Sequence, residues 1–227
     1  MADEAAEIWV FGYGSLMWNP GFPFAEARRA RLTGYHRAFC IYSVHYRGTQ
    51  RQPGLVLGLD RGGVCEGIAF RLAPETQERA LAYLRRRELI YSVYREARVQ
   101  VAIADGLDGV PKPVWAHAYI AERAHPSYAG CLPLAREACL IRRSVGCGGT
   151  NLDYLMSTLR HLRELGIREP RLDRLVAMVG PLAAWRAPAL NGARSPTAAL
   201  ARAWAARAAP KPRTVRDNRF GFRAKRG

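Results

Sequence analysis

Acidic residues are scarce in this chain. Its 227 residues include 35 Lys and Arg but only 19 Asp and Glu, for a formal charge of +16. Long apolar runs are missing as well. None approaches the ~20 residues that a bilayer-spanning helix needs, so the sequence predicts no membrane span. Residues Met1–Glu7 are alanine-rich and acidic, without the basic and apolar regions of a secretory leader, and the expected compartment is the cytoplasm. The five cysteines, Cys40, Cys65, Cys131, Cys139 and Cys147, include no CxxC pair. An odd number without metal-ligand spacing predicts reduced, mostly buried thiols and no bound metal. No GxGxxG dinucleotide fingerprint, no GxSxG nucleophile elbow and no internal repeat is present.

What is present is an apolar fraction of 49%, ordinary for a globular protein and enough for a sizeable core. The length suits one compact domain with extensions, or two small ones. The positive charge is unevenly spread. Eleven basic residues against one acid, Asp217, fall between Arg186 and Gly227, which leaves +6 on residues 1–185. The expected organisation is a mildly basic domain over 1–185 and a basic, Ala/Arg/Pro-rich extension over 186–227. The extension is too poor in large apolar residues to bury much, so disorder is expected there, with one short helix conceivable in "TAALARAWAARAA".

Along the first part, Ile8–Tyr13 reads as a buried strand and "LTGYHRAFCIYSVHY" (Leu32–Tyr46) as a second. Pro53–Asp60 and Val64–Leu72 read as two further strands joined by a tight hairpin at Arg61-Gly62-Gly63. Ala73–Glu88 switches to helical spacing, with Pro74 in its first turn, Ala80, Leu81 and Leu84 on one stripe, and Arg85, Arg86 and Arg87 in the last turn. Strands return at Val93–Ile103 and Val114–Ile120, and helices follow at Leu132–Ser144, Asn151–Leu165 and Pro170–Trp185. Strands first and helices last argue for an α+β fold rather than an alternating parallel sheet.

Three places hold candidate chemistry. The first strand ends in Gly12-Tyr13-Gly14-Ser15, where glycines permit a turn and let a ligand approach exposed backbone N–H groups. Such turns are also ordinary punctuation. Glu88 closes a helix, where the dipole disfavours an ionised acid. Burial would raise its pKa and neighbouring arginines would lower it, so Glu88 is either a tuned acid/base or a solvated partner of an arginine. "GCGGTNLDYL" (Gly146–Leu155) places Thr150 and Asn151 where they can cap a helix and Tyr154 on its first turn.

Taken in order, "VFGYGSLMW", "HYRGTQRQPG", "EGIAFRL", "YLRRRE" ending at Glu88, "YIAERAHPSYAG" and "GGTNLDYL" make the chain resemble the ChaC-like, glutathione-specific γ-glutamylcyclotransferases over about residues 7–180. The resemblance implies a mixed β-barrel flanked by helices. It also implies a small-molecule γ-glutamyl substrate and no cofactor or metal. By that resemblance Tyr13, Gly14, Ser15 and Leu16 hold the γ-glutamyl group, with Phe11 and Gly12 at the edge, and Glu88 is the catalytic acid/base. Tyr154 contacts substrate, and Arg47 and Gly48 match an Arg-Gly pair close to the site. The implied reaction is attack of the α-amine on its own γ-carbonyl, giving 5-oxoproline and, from glutathione, Cys-Gly. The loop N–H groups fix the α-carboxylate or stabilise the oxyanion. The chain departs from the family at "LIYSVY" after Glu88, which leaves Tyr91 and Tyr94 as alternatives, and in the basic extension. Two other readings stand beside this one: a cyclotransferase for other γ-glutamyl amides, and a non-catalytic binding protein whose basic extension contacts nucleic acid or an acidic membrane surface.

Overall fold

The computed structural model describes residues 7–89, 91–104 and 110–179. The basic extension and the domain boundary expected at 185/186 lie outside them.

The first strand, β1 (Trp9–Gly12), is apolar and buried on both faces. It pairs antiparallel with β3 (Gly54–Arg71) and parallel with β5 (Lys112–Ala121). The ladder continues from β3 to β2 (Glu26–Ser43), from β2 to β4 (Tyr94–Ile103) and from β4 to β5, all antiparallel. The result is a closed five-stranded barrel in the order β1-β3-β2-β4-β5, an arrangement that leaves no open sheet edge. Helix α1 (Gln77–Glu88) lies between β3 and β4 in the chain. Helices α2 (Leu134–Arg143), α3 (Asn151–Glu164) and α4 (Pro170–Val179) follow β5, and a minute hairpin of β6 (Val145–Gly146) and β7 (Gly149–Thr150) separates α2 from α3. The α+β class and the barrel flanked by helices are as expected. No helix among the described residues is long and apolar enough to cross a membrane.

One expectation about topology fails. Arg61-Gly62-Gly63 is not a hairpin, and Gly54–Arg71 is a single 18-residue strand. Gly62 (φ 95°) and Gly63 (φ 71°) lie opposite Gly34 (φ 87°), at a register shift between Thr33 and Tyr35. All three occupy the left-handed region open mainly to glycine. The irregularity is therefore absorbed as a bulge that bends a continuing β2–β3 ladder, not as a chain reversal. Strand β2 also begins six residues before Leu32. The added stretch, Glu26–Arg31, looks polar in the sequence but pairs with Glu66–Arg71, and Glu26 holds Arg28 and Arg71.

The cysteines are free, but only Cys40 and Cys65 are buried; Cys131, Cys139 and Cys147 are exposed on the helical side of the chain. The expectation that most would be buried therefore fails: exposed Cys139 points away from the core while its α2 neighbours Ala138 and Leu140 are buried. Burial pushes the Cys40 and Cys65 thiols up to about 12 and about 11, so both stay protonated at neutral pH.

Candidate active site

The chain leaves β1 at Gly12 and makes one 3₁₀ turn over Ser15–Met17. Met17 N–H bonds to Gly14 C=O and Trp18 N–H to Ser15 C=O. The N–H groups that open the turn, those of Gly14, Ser15 and Leu16, precede these bonds and have no partner within it. A Cβ on Gly12 would press on Leu16 Cβ at 3.1 Å and on the Phe70 ring at 3.3 Å. Glycine there lets the turn fold tightly back onto the barrel.

This turn forms one wall of a small cavity of about 50 Å³. Tyr13, Gly14, Ser15 and Leu16 line it from the turn, Leu57 from β3, Glu88 from the last position of α1, Tyr94 from β4, Tyr119 from β5 and Tyr154 from the first turns of α3. Two segments more than seventy residues apart in sequence thus meet across one space. Glu88 is the only carboxyl in that lining, which holds no Lys, Arg or His among the described residues. Its carboxyl is raised from the ordinary glutamate value by burial, with the adjacent Arg87 guanidinium acting the other way. Neither Arg85 nor Arg86 plays the part expected of it. Arg85 is held by Glu96 at 2.8 Å and Arg86 is exposed.

Arg87 is the link between the two halves. Its Nε lies 3.1 Å from Glu88 Oε1, its Nη2 donates to Ser15 Oγ at 3.0 Å, and its Nη1 donates to Asn19 C=O at 2.8 Å and Pro20 C=O at 3.2 Å. Ser15 accepts this bond and keeps its own proton free to donate. Beneath the turn, Arg37 of β2 is buried, only 4% exposed. It donates to the Tyr13 carbonyl, to Glu66 C=O and to the Glu169 carboxylate. Because the peptide is trans, drawing the Tyr13 carbonyl toward Arg37 turns the Gly14 N–H away from it.

The tyrosine walls are neutral. Burial raises Tyr13 and Tyr94 well above the ordinary tyrosine value, and pushes Tyr154 up to about 12. Tyr13 Oη donates to Tyr119 C=O at 2.8 Å, and Tyr94 Oη to Leu57 C=O at 2.7 Å. The alternative left open after Glu88 is thereby resolved in geometry: Tyr94 lines the cavity, whereas Tyr91 is 51% exposed. Arg47 does not line the cavity. It sits over the outer face of the Tyr154 ring, 5.3 Å from the centroid, with Nη1 donating to Thr150 C=O at 3.2 Å. Phe11 is fully buried in β1, and neither it nor Gly12 reaches the cavity.

Thr150 caps α3, its Oγ1 accepting from Asp153 N–H at 3.0 Å. Asn151 does something else. Its side chain, fully buried, accepts from Leu55 N–H at 2.6 Å and donates to Leu55 C=O at 2.7 Å, clamping α3 to β3 two residues from Leu57. Among the described residues no three His, Cys, Asp or Glu side chains converge on a common metal position.

The family model for ChaC-like proteins matches residues 8–182. The chain belongs to the ChaC-like family. It is 39% identical over 185 residues to the glutathione-specific γ-glutamylcyclotransferase of Escherichia coli (strain K12), covering 82% of this chain and 78% of that protein. It is 34% identical over 179 residues to glutathione-specific γ-glutamylcyclotransferase 1 of Mus musculus, covering 77% and 79%. In fold it is similar to the crystal structure of a yeast γ-glutamyl cyclotransferase specific to glutathione, with a TM-score of 0.66 at 22% identity over 77% of this chain and 98% of that one. The ChaC-like segment thus contains the whole barrel, Glu88 and the Tyr13–Leu16 turn, and ends before the basic extension.

Proposed function

We propose that the chain is a γ-glutamylcyclotransferase that converts glutathione to 5-oxoproline and Cys-Gly, with Glu88 as general acid/base. The observation that carries this reading is the facing pair in one cavity: the half-buried Glu88 carboxyl and a turn whose opening N–H groups have no partner within it. The names of the ChaC-like relatives support glutathione as the substrate.

The α-amine of the γ-glutamyl group must lose a proton before it can attack. Ionised Glu88 takes that proton, and its burial raises its basicity for the task. The amine nitrogen then bonds to the γ-carbon while the carbonyl electrons move to oxygen. When the intermediate collapses, the ring nitrogen has given its second proton to water, the carbon–nitrogen bond to Cys-Gly breaks, and Glu88 returns its proton to the leaving nitrogen. Positioned proton transfer of this kind contributes about 10²–10⁴-fold. The turn at Tyr13–Leu16 holds the γ-glutamyl end and Tyr154 closes the opposite wall, favouring the folded conformer in which ring closure is intramolecular. Arg47 acts on substrate only through Tyr154, and Phe11 and Gly12 only by supporting the turn.

The test is to incubate the purified full chain with glutathione and, separately, with γ-glutamyl-alanine, and to quantify 5-oxoproline. Equal release of 5-oxoproline and Cys-Gly from glutathione, with γ-glutamyl-alanine far slower, is expected. A preference for γ-glutamyl-alanine would move the assignment to the broader class of γ-glutamyl amides, and no 5-oxoproline from either would refute it. The activity is assigned to residues 1–185, so a chain ending at Trp185 should retain it.

A further inference from the structure

Three arginines close α1, and Arg87 is the one that reaches the turn. Its Nε meets Glu88 Oε1 at 3.1 Å, its Nη2 donates to Ser15 Oγ at 3.0 Å, and its Nη1 donates to Asn19 C=O at 2.8 Å and Pro20 C=O at 3.2 Å. One planar, permanently charged group therefore touches the acid/base, a serine of the turn and the chain that leaves the turn. Tyr83 lies one helical turn earlier on the same face of α1, with its Oη 3.4 Å from Arg87 Nη1. That Oη would sit 2.1 Å from a Cβ at Gly21, whose φ of 74° also belongs to glycine. The chain after the turn is thus fitted to α1 at two points, Gly21 against Tyr83 and the Asn19 and Pro20 carbonyls against Arg87. With both Nη atoms committed, the plane of the guanidinium is fixed, and with it the direction of Nε.

We propose that Arg87 is a positioning residue, which holds the Glu88 carboxylate and Ser15 Oγ in one fixed relation around the reacting amine and γ-carbonyl. The proposal rests on the γ-glutamyl cyclisation reading, with Glu88 as acid/base, and deepens it. Glu88 must reach the α-amine and then the leaving nitrogen while the turn grips the γ-glutamyl end. A misplacement of about 1 Å costs about 10²-fold in such a geometry. The Arg87 fork ties the two halves directly and needs no contact with substrate. Its charge has a second effect. Burial raises the Glu88 carboxyl, and Arg87 is the charge that opposes it. The other titratable walls of the cavity, Tyr13, Tyr94, Tyr119 and Tyr154, are kept neutral by burial. Arg85 is engaged by Glu96, and Arg86 is exposed. Without Arg87 the Glu88 carboxyl therefore rises further, and a base that must be ionised then works only at higher pH.

The experiment compares full-chain Arg87→Gln, Arg87→Lys and, as a control, Arg86→Gln with wild type. It follows 5-oxoproline from glutathione across pH, with melting in parallel. Arg87→Gln is expected to move the acid limb of kcat/KM to higher pH and to lower kcat about 10²-fold on the plateau above that limb. Arg87→Lys keeps the charge but not the fork, so its limb should stay nearer that of wild type while its plateau kcat remains about tenfold or more below wild type. Arg86→Gln should change neither. A merely structural arginine predicts lower melting with limb and plateau turnover per folded molecule unchanged, and that result overturns the proposal. So does an unmoved limb in Arg87→Gln, an equal shift in Arg86→Gln, or a plateau kcat in Arg87→Lys within about twofold of wild type. If Arg87→Gln does not fold, the Arg87→Lys plateau decides. Wild-type protein inactive on both glutathione and γ-glutamyl-alanine overturns the cyclisation reading, and this proposal with it.

Discussion

Replacing Asn151 with alanine should be among the most damaging single changes in the chain. The Asn151 amide is the partner of both backbone groups of Leu55, at 2.6 Å and 2.7 Å, and both residues are fully buried. Alanine leaves a buried N–H and a buried C=O unpaired. At about 1–3 kcal/mol for each orphaned group, the loss is about 2–6 kcal/mol, large beside the ~1 kcal/mol typical of point substitutions. Thr150→Ala, which removes only the cap on the same helix, should cost about 0.5–2 kcal/mol. The order Asn151→Ala worse than Thr150→Ala is thus part of the prediction. Because Leu57 and Tyr154 flank the clamp, kcat/KM should fall with stability. Urea unfolding of the three proteins measures the difference. A loss below ~1 kcal/mol for Asn151→Ala, or one smaller than for Thr150→Ala, would refute the reasoning.

The other predictions follow from buried charge and from the cavity walls. Arg37→Met strands the Glu169 carboxylate and the carbonyls of Tyr13 and Glu66, and should lose about 3–5 kcal/mol in denaturant unfolding, as breaking a buried pair does. The acid limb of kcat/KM should lie above the ordinary glutamate range, because burial raises Glu88 and the base must be ionised to work; a limb at or below that range contradicts the assignment. Tyr94→Phe leaves the Leu57 carbonyl without its donor and should lower both stability and turnover, whereas Tyr91→Phe, at an exposed position, should change stability by less than ~0.5 kcal/mol.

Much of this was readable before any coordinates. β1 declares itself by an unbroken apolar run, and α1 by the spacing of Ala80 and Leu84, both buried. The two halves of the cavity, Tyr13–Leu16 and Glu88, were legible as motifs, although nothing in their spacing brings them together; closure of the barrel does that. The Gly62-Gly63 bulge was misread because glycines with positive φ serve turns and bulges alike, and only Gly34 on the facing strand separates the two. Asn151 looked like a cap because capping and clamping use the same amide. Arg87 looked like helix-end charge, since its bonds to Asn19 and Pro20 reach across the fold. Arg37 did leave a trace, a cation in phase with buried Phe39 along β2 that must find partners inside. Tyr119 left none, being one more β-favouring residue in a strand of buried ones.

The central claim is that Glu88 handles the proton. Glu88→Gln keeps the shape of the side chain, and Arg87 retains Ser15, Asn19 and Pro20 as partners. Folding raises the Glu88 pKa, so wild type carries the ionised group at a cost that is complete above the folded pKa and vanishes below the unfolded one. At neutral pH the variant should therefore be at least as stable as wild type. The deciding measurement is 5-oxoproline released from glutathione by folded Glu88→Gln protein. The account predicts a fall of about 10²–10⁴-fold with melting unchanged or improved. Turnover near that of wild type would contradict it.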